Sequence, residues 1–358
     1  VLGYVGNISK QEIFNNPELT KYSGLKVGKT GIEKDLDSAL RGDIGFRIQE
    51  RDSYGKLVRN ISIEPPKKGK NLRLSIDLEL QKKLFYDFKG RKGALVAIEP
   101  KTGLIRALIS SPTYDPNLLN TINDYDEVRN LFSDQDSPLF NRALSGQYPP
   151  ASTLKPFVGM AALEAKTISW EKEILDSGEY LVEGDERPYR GWKEGGHGKV
   201  DMNKAIIESS DVYFYSLAYD LTVSNLSPFL EKFGFGEQSG LTIREGTGIL
   251  PSRKWKLGYR GESWFKGDTI NMGIGQGFIT ATPLQIAVAY SALANKGELI
   301  QPRIIEKIGE ENTETVIKKN ISLNNDLNWK RIEKSLLGVV EASNGTANNI
   351  YDRNIRIA

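Results

Sequence analysis

Cysteine is missing from all 358 residues, and histidine occurs once, at His197. Without thiols there is no disulfide, no thiolate nucleophile and no cysteine-based zinc site. With a single histidine, a Ser-His-Asp enzyme would depend wholly on His197, whereas a serine enzyme with a lysine base needs no histidine. Excess charge of one sign is missing too. Lys and Arg number 48 against 46 Asp and Glu, for a formal net charge of +2. That balance leaves no footprint for nucleic acid, and no dense basic block suggests an anionic membrane patch. No run reaches the roughly 18 apolar residues of a membrane span, and no signal peptide opens the chain. Residues 1–5 start in mid-pattern without Met, so the chain is expected to be a fragment whose address lies elsewhere.

What is present divides into two units. Residues 1 to about 68 are rich in Gly, Lys and Asp, with short candidate helices at 9–16 and 32–40. The stretch 65–70, with Pro65, Pro66 and Gly69, reads as a linker because those residues interrupt regular structure. The larger unit, 69–358, opens with a strand over 71–76 and a helix over 78–88 capped by Asp77. The apolar, β-prone runs 94–99 and 104–110 flank Pro100-Lys101-Thr102-Gly103 and predict an antiparallel hairpin, followed by a turn at 113–117. Helical spacing then covers 155–165, 202–221, 226–233 and 283–295. Strands, a helical middle and further strands expected near the C-terminus predict an α+β fold.

Chemistry concentrates around Ser152. Ser-x-x-Lys occurs five times, starting at Ser23, Ser53, Ser152, Ser169 and Ser263, so the spacing alone selects nothing. Ser152 stands apart because it follows Pro149 and Pro150 and precedes the apolar run Phe157, Val158, Met160, Ala161 and Leu163 at a helix start. Residues three apart share a helix face, which puts the Lys155 amine within reach of the Ser152 oxygen. The positive end of the helix dipole disfavours a second positive charge and so helps to lower the Lys155 pKa. A neutral amine there takes the serine proton, and nearby backbone N–H groups steady an oxyanion. The plainer reading makes Ser152 an N-cap and Lys155 a solvated surface residue. Pro156, which withholds an early helical N–H, suits neither.

The stretch from Tyr148 to Pro156 resembles the first signature of penicillin-binding proteins and serine β-lactamases. Further stretches resemble the class B penicillin-binding proteins of cell elongation, in order along nearly the whole chain. They run from Gly28 to Glu33, Ser111 to Pro116, Gly196 to Val200, Glu208 to Tyr215, and Gly273 to Gly277 with Thr282 to Gln285. The resemblance implies a membrane-proximal pedestal in residues 1–68. It implies a transpeptidase domain in 69–358, an antiparallel sheet covered by helices on both faces. The implied activity is peptidoglycan D,D-transpeptidation through an acyl-serine. Ser152 would be the nucleophile, Lys155 the general base and Ser209 a proton relay. Asp211 stands where the broader family has Asn; a carboxylate only accepts hydrogen bonds, and accepting one from Lys155 would favour the ammonium form.

The resemblance also implies no cofactor and no metal. Implied partners are peptidoglycan stem peptides, β-lactam antibiotics, a membrane glycosyltransferase polymerising lipid II, and elongation scaffold proteins, with no nucleic acid. The implied location is the inner membrane, single-pass, with this region in the periplasm. The family's third signature, Lys-Thr-Gly or Lys-Ser-Gly, is not matched usefully: Lys29-Thr30-Gly31 lies in the pedestal, and Lys101-Thr102-Gly103 lies in the hairpin turn. Asn344-Gly345-Thr346 and residues 354–358 resemble the lead-in to it, so that strand is expected past Ala358 and the chain as written is expected to be catalytically impaired. Two alternatives stand beside this reading: a β-lactamase or carboxypeptidase that passes the acyl group to water, and a catalytically silent scaffold.

His197 sits among glycines. Ser210 follows thirteen residues on (210 − 197), where some members of the family have a better metal ligand, and Gly191 lies upstream. A structural histidine is expected rather than a zinc ligand. Gly273, Gly275 and Gly277 lack phosphate-loop spacing and read as tight packing beside the site. Trp192, Trp255 and Trp264 read as core more than as a substrate groove.

Overall fold

The computed structural model describes residues 1–22, 24–120, 125–182, 184 and 187–358. The Ser-x-x-Lys that starts at Ser23 therefore lies outside the described residues. Near the start, Ser9 and Glu12 form a reciprocal capping box on helix Lys10–Asn15. The helix expected over 32–40 divides at Leu36 into Gly31–Asp35 and Asp37–Arg41. Strands Phe46–Arg51 and Leu57–Glu64 pair as an antiparallel ribbon. Residues 65–70 then cross without helix or strand, tied by a bridge from Lys67 to Asp43 and by Lys70 N–H donating to the Ala39 carbonyl at 2.7 Å.

The predicted hairpin forms from Gly93–Ile98 and Ile105–Ser111. Late strands return to it, which gives the α+β arrangement its closure. Strand Ile305–Ile308 pairs with Leu72–Leu74 on one side and Glu311–Asn312 on the other. Arg303 N–H donates to the Gly103 carbonyl at 2.8 Å, and Ile105 N–H donates back to Arg303 at 3.0 Å. The buried Ser75 hydroxyl donates to the Ile105 carbonyl at 2.7 Å, locking the junction.

Helices pack on both strands of the hairpin. Helix Leu78–Asp87, capped by Asp77 as expected, lies on Ile105–Ser111. Its Gln81 side chain accepts from Leu108 N–H and donates to the Leu108 carbonyl, both at 2.8 Å. That side chain thus satisfies the strand as a neighbouring strand would. Helix Pro283–Ala294 starts with a Thr282–Gln285 capping box and Pro283 in its first turn, and it packs on Gly93–Ile98.

Three further expectations change. The turn at 113–117 gives way to a short 3₁₀ helix, Pro116–Asn120. The helix predicted over 226–233 begins earlier, as Val223–Lys232. The single helix predicted over 202–221 is two, Met202–Ile207 and Asp211–Leu221. At the break Ser210 is extended and its hydroxyl accepts from Tyr213 N–H, so it caps a new helix.

Helix Lys155–Glu164 runs through the middle of the core, buried from Lys155 to Ala162. Because it is surrounded, its apolar residues need no single stripe. Phe157 meets Phe233, Tyr290 and Phe235 edge-on at 5.0, 5.2 and 5.5 Å between ring centroids. Replacing Phe157 with Ala should therefore cost about 3–5 kcal/mol, read as a lower denaturant midpoint with an unchanged slope.

Candidate active site

The turn that carries Ser152 is built before the helix, not at its cap. Ala151–Leu154 is a 3₁₀ turn and helix Lys155–Glu164 follows it directly. Pro156 then falls in the first helical turn, where its missing N–H has no intrahelical partner to lose. Two outside contacts fix the turn. Ala151, at φ 50°, donates its N–H to the Gly275 carbonyl at 2.9 Å. The Tyr290 hydroxyl donates to the Thr153 carbonyl at 2.8 Å. Ser152 itself is exposed, and it lines a cleft of about 520 Å³ with Trp192, Ser209, Asp211, Ile274, Gln276 and Thr346.

Lys155 points away from solvent, with 2% of its side chain exposed. Its ammonium donates to the Asp211 carboxylate at 2.6 Å, to the Ser209 carbonyl at 2.8 Å and to the Ser209 hydroxyl at 2.9 Å. Three donors meet three acceptors, so no N–H of the ammonium is left over. The surface-lysine alternative is thereby corrected, and so is the N-cap alternative for Ser152. Burial, the largest influence, holds the Lys155 pKa below the ordinary lysine value; the Asp211 charge and hydrogen bond, and the Asp176 charge, pull it upward. The depression comes from desolvation rather than from the helix end.

Ser209 falls at the break between two helices, and the backbone there is unusual. Ser209 has φ 55°, a left-handed conformation that non-glycine residues rarely adopt outside over-determined sites. In that conformation both its carbonyl and its hydroxyl face Lys155. Trp192 reinforces the arrangement: its backbone N–H donates to Asp211 Oδ2 and its indole N–H to the Ser209 carbonyl, each at 2.9 Å. Asp211 therefore spends one oxygen on Lys155 and the other on Trp192. Ser152, Ser209 and Asp211 line one cleft, and Lys155 lies buried beside it, hydrogen-bonded to Ser209 and Asp211 and not to Ser152.

Among these neighbours, sequence reasoning passed over Gln276, Ile274 and Thr346 as site residues and read Trp192 as core. Trp192 is 60% exposed, and its polar contacts hold it at the cleft. Trp264 is half-buried against the core, and Trp255 stacks on Tyr259. The glycines do pack tightly. A Cβ on Gly273 would lie 2.5 Å from Ala218 Cβ, so helix Lys266–Gly273 approaches helix Asp211–Leu221 closely. Lys29-Thr30-Gly31 and Lys101-Thr102-Gly103 do not line the cleft. His197 is buried on Asp176, with 2.7 Å between Nδ1 and Oδ2. No cluster of three or more His, Cys, Asp or Glu side chains suited to a metal occurs among the described residues.

Comparison with known proteins follows this geometry. Residues 93–358 match the penicillin-binding protein transpeptidase domain, and residues 1–74 match the penicillin-binding protein dimerisation domain. The chain therefore belongs to the penicillin-binding protein transpeptidase family. It is 37% identical to the peptidoglycan D,D-transpeptidase MrdA of Haemophilus influenzae, covering 100% of this chain and 56% of that protein. It spans little more than half the length of the curated relatives it matches. Among solved structures it is similar to Pseudomonas aeruginosa PBP2 in complex with WCK 5153, at 38% identity and a TM-score of 0.87, covering 97% of this chain and 73% of that one. It is also similar to Helicobacter pylori PBP2 in its complex with MreC, at 31% identity and a TM-score of 0.90, covering 98% and 64%.

Gly275 offers a direct test of the turn. It has φ +69°, and a Cβ there would lie 2.1 Å from the Ala151 carbonyl oxygen. Gly275→Ala should cost about 1–3 kcal/mol, visible as a fall in Tm, whereas Gly258→Ala, which meets nothing within 4 Å, should not lower it.

Proposed function

We propose that the protein is a peptidoglycan D,D-transpeptidase of cell elongation and a target of β-lactams, with Ser152 as nucleophile. The observation that carries this reading is an exposed serine sharing a cleft with Ser209 and Asp211, which together hold the buried Lys155. Family membership and the D,D-transpeptidase activity for which the MrdA relatives are named support it. In this reading residues 1–68 are the pedestal and 69–358 the transpeptidase domain.

The chemistry divides acyl transfer into two steps. Ser152 Oγ attacks the carbonyl of the penultimate D-Ala of a stem peptide as its proton passes to neutral Lys155. A neutral amine keeps two N–H donors, enough for Asp211 and the Ser209 carbonyl, and its lone pair is free to accept a proton. Collapse of the tetrahedral intermediate breaks the peptide bond. The departing D-Ala amine takes a proton from Ser209, which Lys155 replenishes. The amine of a neighbouring stem then attacks the acyl carbonyl and releases Ser152. Asp211 orients Lys155 and opposes its deprotonation; burial favours it.

Partners and location follow the same reading. Similarity to the structure of PBP2 with MreC, and to a peptidoglycan synthase complex, supports a membrane glycosyltransferase and elongation scaffold proteins as partners. A single-pass inner-membrane protein with this region in the periplasm fits them. Among the described residues no helix is long and apolar enough to cross a membrane.

The test uses the full-length protein and a fluorescent penicillin. A covalent adduct on Ser152, located by mass spectrometry and absent in Ser152→Ala, is the expected outcome. Acylation should quicken with rising pH as Lys155 loses its proton, with a midpoint below the ordinary lysine range. A wild-type protein that stays unlabelled would leave the catalytically silent scaffold. Rapid release of the label to water would instead mark a hydrolase.

A further inference from the structure

Asp176 ends strand Ile174–Asp176 and lies outside the cleft. Only 3% of its side chain is exposed, and a buried carboxylate persists when each oxygen finds donors. Oδ1 accepts from Gly178 N–H at 2.8 Å. Oδ2 accepts from the Ser210 hydroxyl at 2.6 Å and faces His197 Nδ1 at 2.7 Å.

Both of those partners lead to the active site. Ser210 lies between Ser209 and Asp211, the two residues that grip Lys155, and its hydroxyl also accepts from Tyr213 N–H at 3.2 Å. The His197 ring packs edge-on against Trp192 at 5.5 Å, and Trp192 donates to Asp211 and to Ser209. His197 Nε2 is buried without a hydrogen-bond partner among the described residues. The Nδ1 contact with Asp176 is therefore the one polar contact that orients the ring, as the bonded nitrogen of an imidazole generally does.

We infer that Asp176 is a positioning residue for the proposed acyl transfer: through Ser210 and His197 it sets the strained turn that puts Ser209 and Asp211 on Lys155. Strain at Ser209 needs such outside support, because a left-handed serine persists only where its surroundings over-determine it. The inference rests on the reading of Ser152 and Lys155 given above. The charged groups facing Lys155 are Asp211 from helix Asp211–Leu221 and Asp176 from its strand, with His197 against Asp176. The Phe214 ring adds a π face at 5.7 Å. Both carboxylates favour the ammonium form, so losing either charge should move deprotonation to lower pH.

The test measures the rate constant for Ser152 acylation by a fluorescent penicillin across pH, in full-length wild type, Asp176→Asn and Ser210→Ala. The labelled amplitude gives the active fraction in each, which separates misfolding from slow chemistry. The expected result is a fall of about tenfold or more in rate constant per labelled molecule in both variants. The acid limb of Asp176→Asn should also move to lower pH. A wild-type rate constant and pH midpoint, with loss only in amplitude or Tm, would overturn the inference. Ser210→Ala decides the question if Asp176→Asn does not fold. Failure of the wild type to be labelled would overturn the functional reading instead, which the variants alone do not address.

Discussion

A buried ammonium held by three oxygens is the constraint on which the site is built. Taking Lys155 out of water costs several kcal/mol, by order of magnitude, unless its three N–H groups are met. Asp211 and both oxygens of Ser209 meet them. Ser209 presents its carbonyl and hydroxyl together from a left-handed backbone, and a left-handed residue interrupts a helix. The break between Met202–Ile207 and Asp211–Leu221 is thus the structural counterpart of burying Lys155. Trp192 follows from the same need, since it donates to Asp211 Oδ2 and to the Ser209 carbonyl; Asp176 instead accepts from the hydroxyl of Ser210, which lies between Ser209 and Asp211.

Ser152 is governed by a different set of contacts. Its turn hangs from Gly275 and Tyr290 on the other side of the cleft, while the helix behind it is fixed by the aromatic cluster around Phe157. Ser152 and Lys155, the proposed nucleophile and base, therefore share one backbone segment but take their support from separate elements. Sites held this way stay in register because each member is locked by packing rather than by its partner. The strands from the end of the chain complete the scaffold by docking on the first hairpin, through Arg303 and Ser75.

Much of this was legible before any coordinates, for local reasons. Asp77 caps its helix because its side chain reaches the first free N–H groups. The hairpin around Lys101 to Gly103 forms because β-prone runs flank a turn that favours glycine, here at φ +71°. Other features depended on tertiary contact and were not legible. Apolar spacing continues through 202–221, so periodicity read one helix; the break rests on Ser210 reaching Asp176, 34 residues earlier. Trp192 looked like core because its function comes from two N–H groups aimed at residues 17 and 19 positions on. Ser209 and Asp211 were found through resemblance, since a Ser-x-Asp in isolation carries no signal. The lowered pKa of Lys155 was anticipated, but from the helix dipole, whereas burial causes it.

Direct titration of Lys155 tests the account most closely. In protein carrying ¹³Cε-labelled lysine, the Lys155 resonance, assigned by its loss in Lys155→Arg, should shift with a midpoint below the ordinary lysine value. A Lys155 that titrates at or above the ordinary value would mean that the paired carboxylate outweighs burial. The proposed base would then remain an ammonium at working pH, contradicting the account.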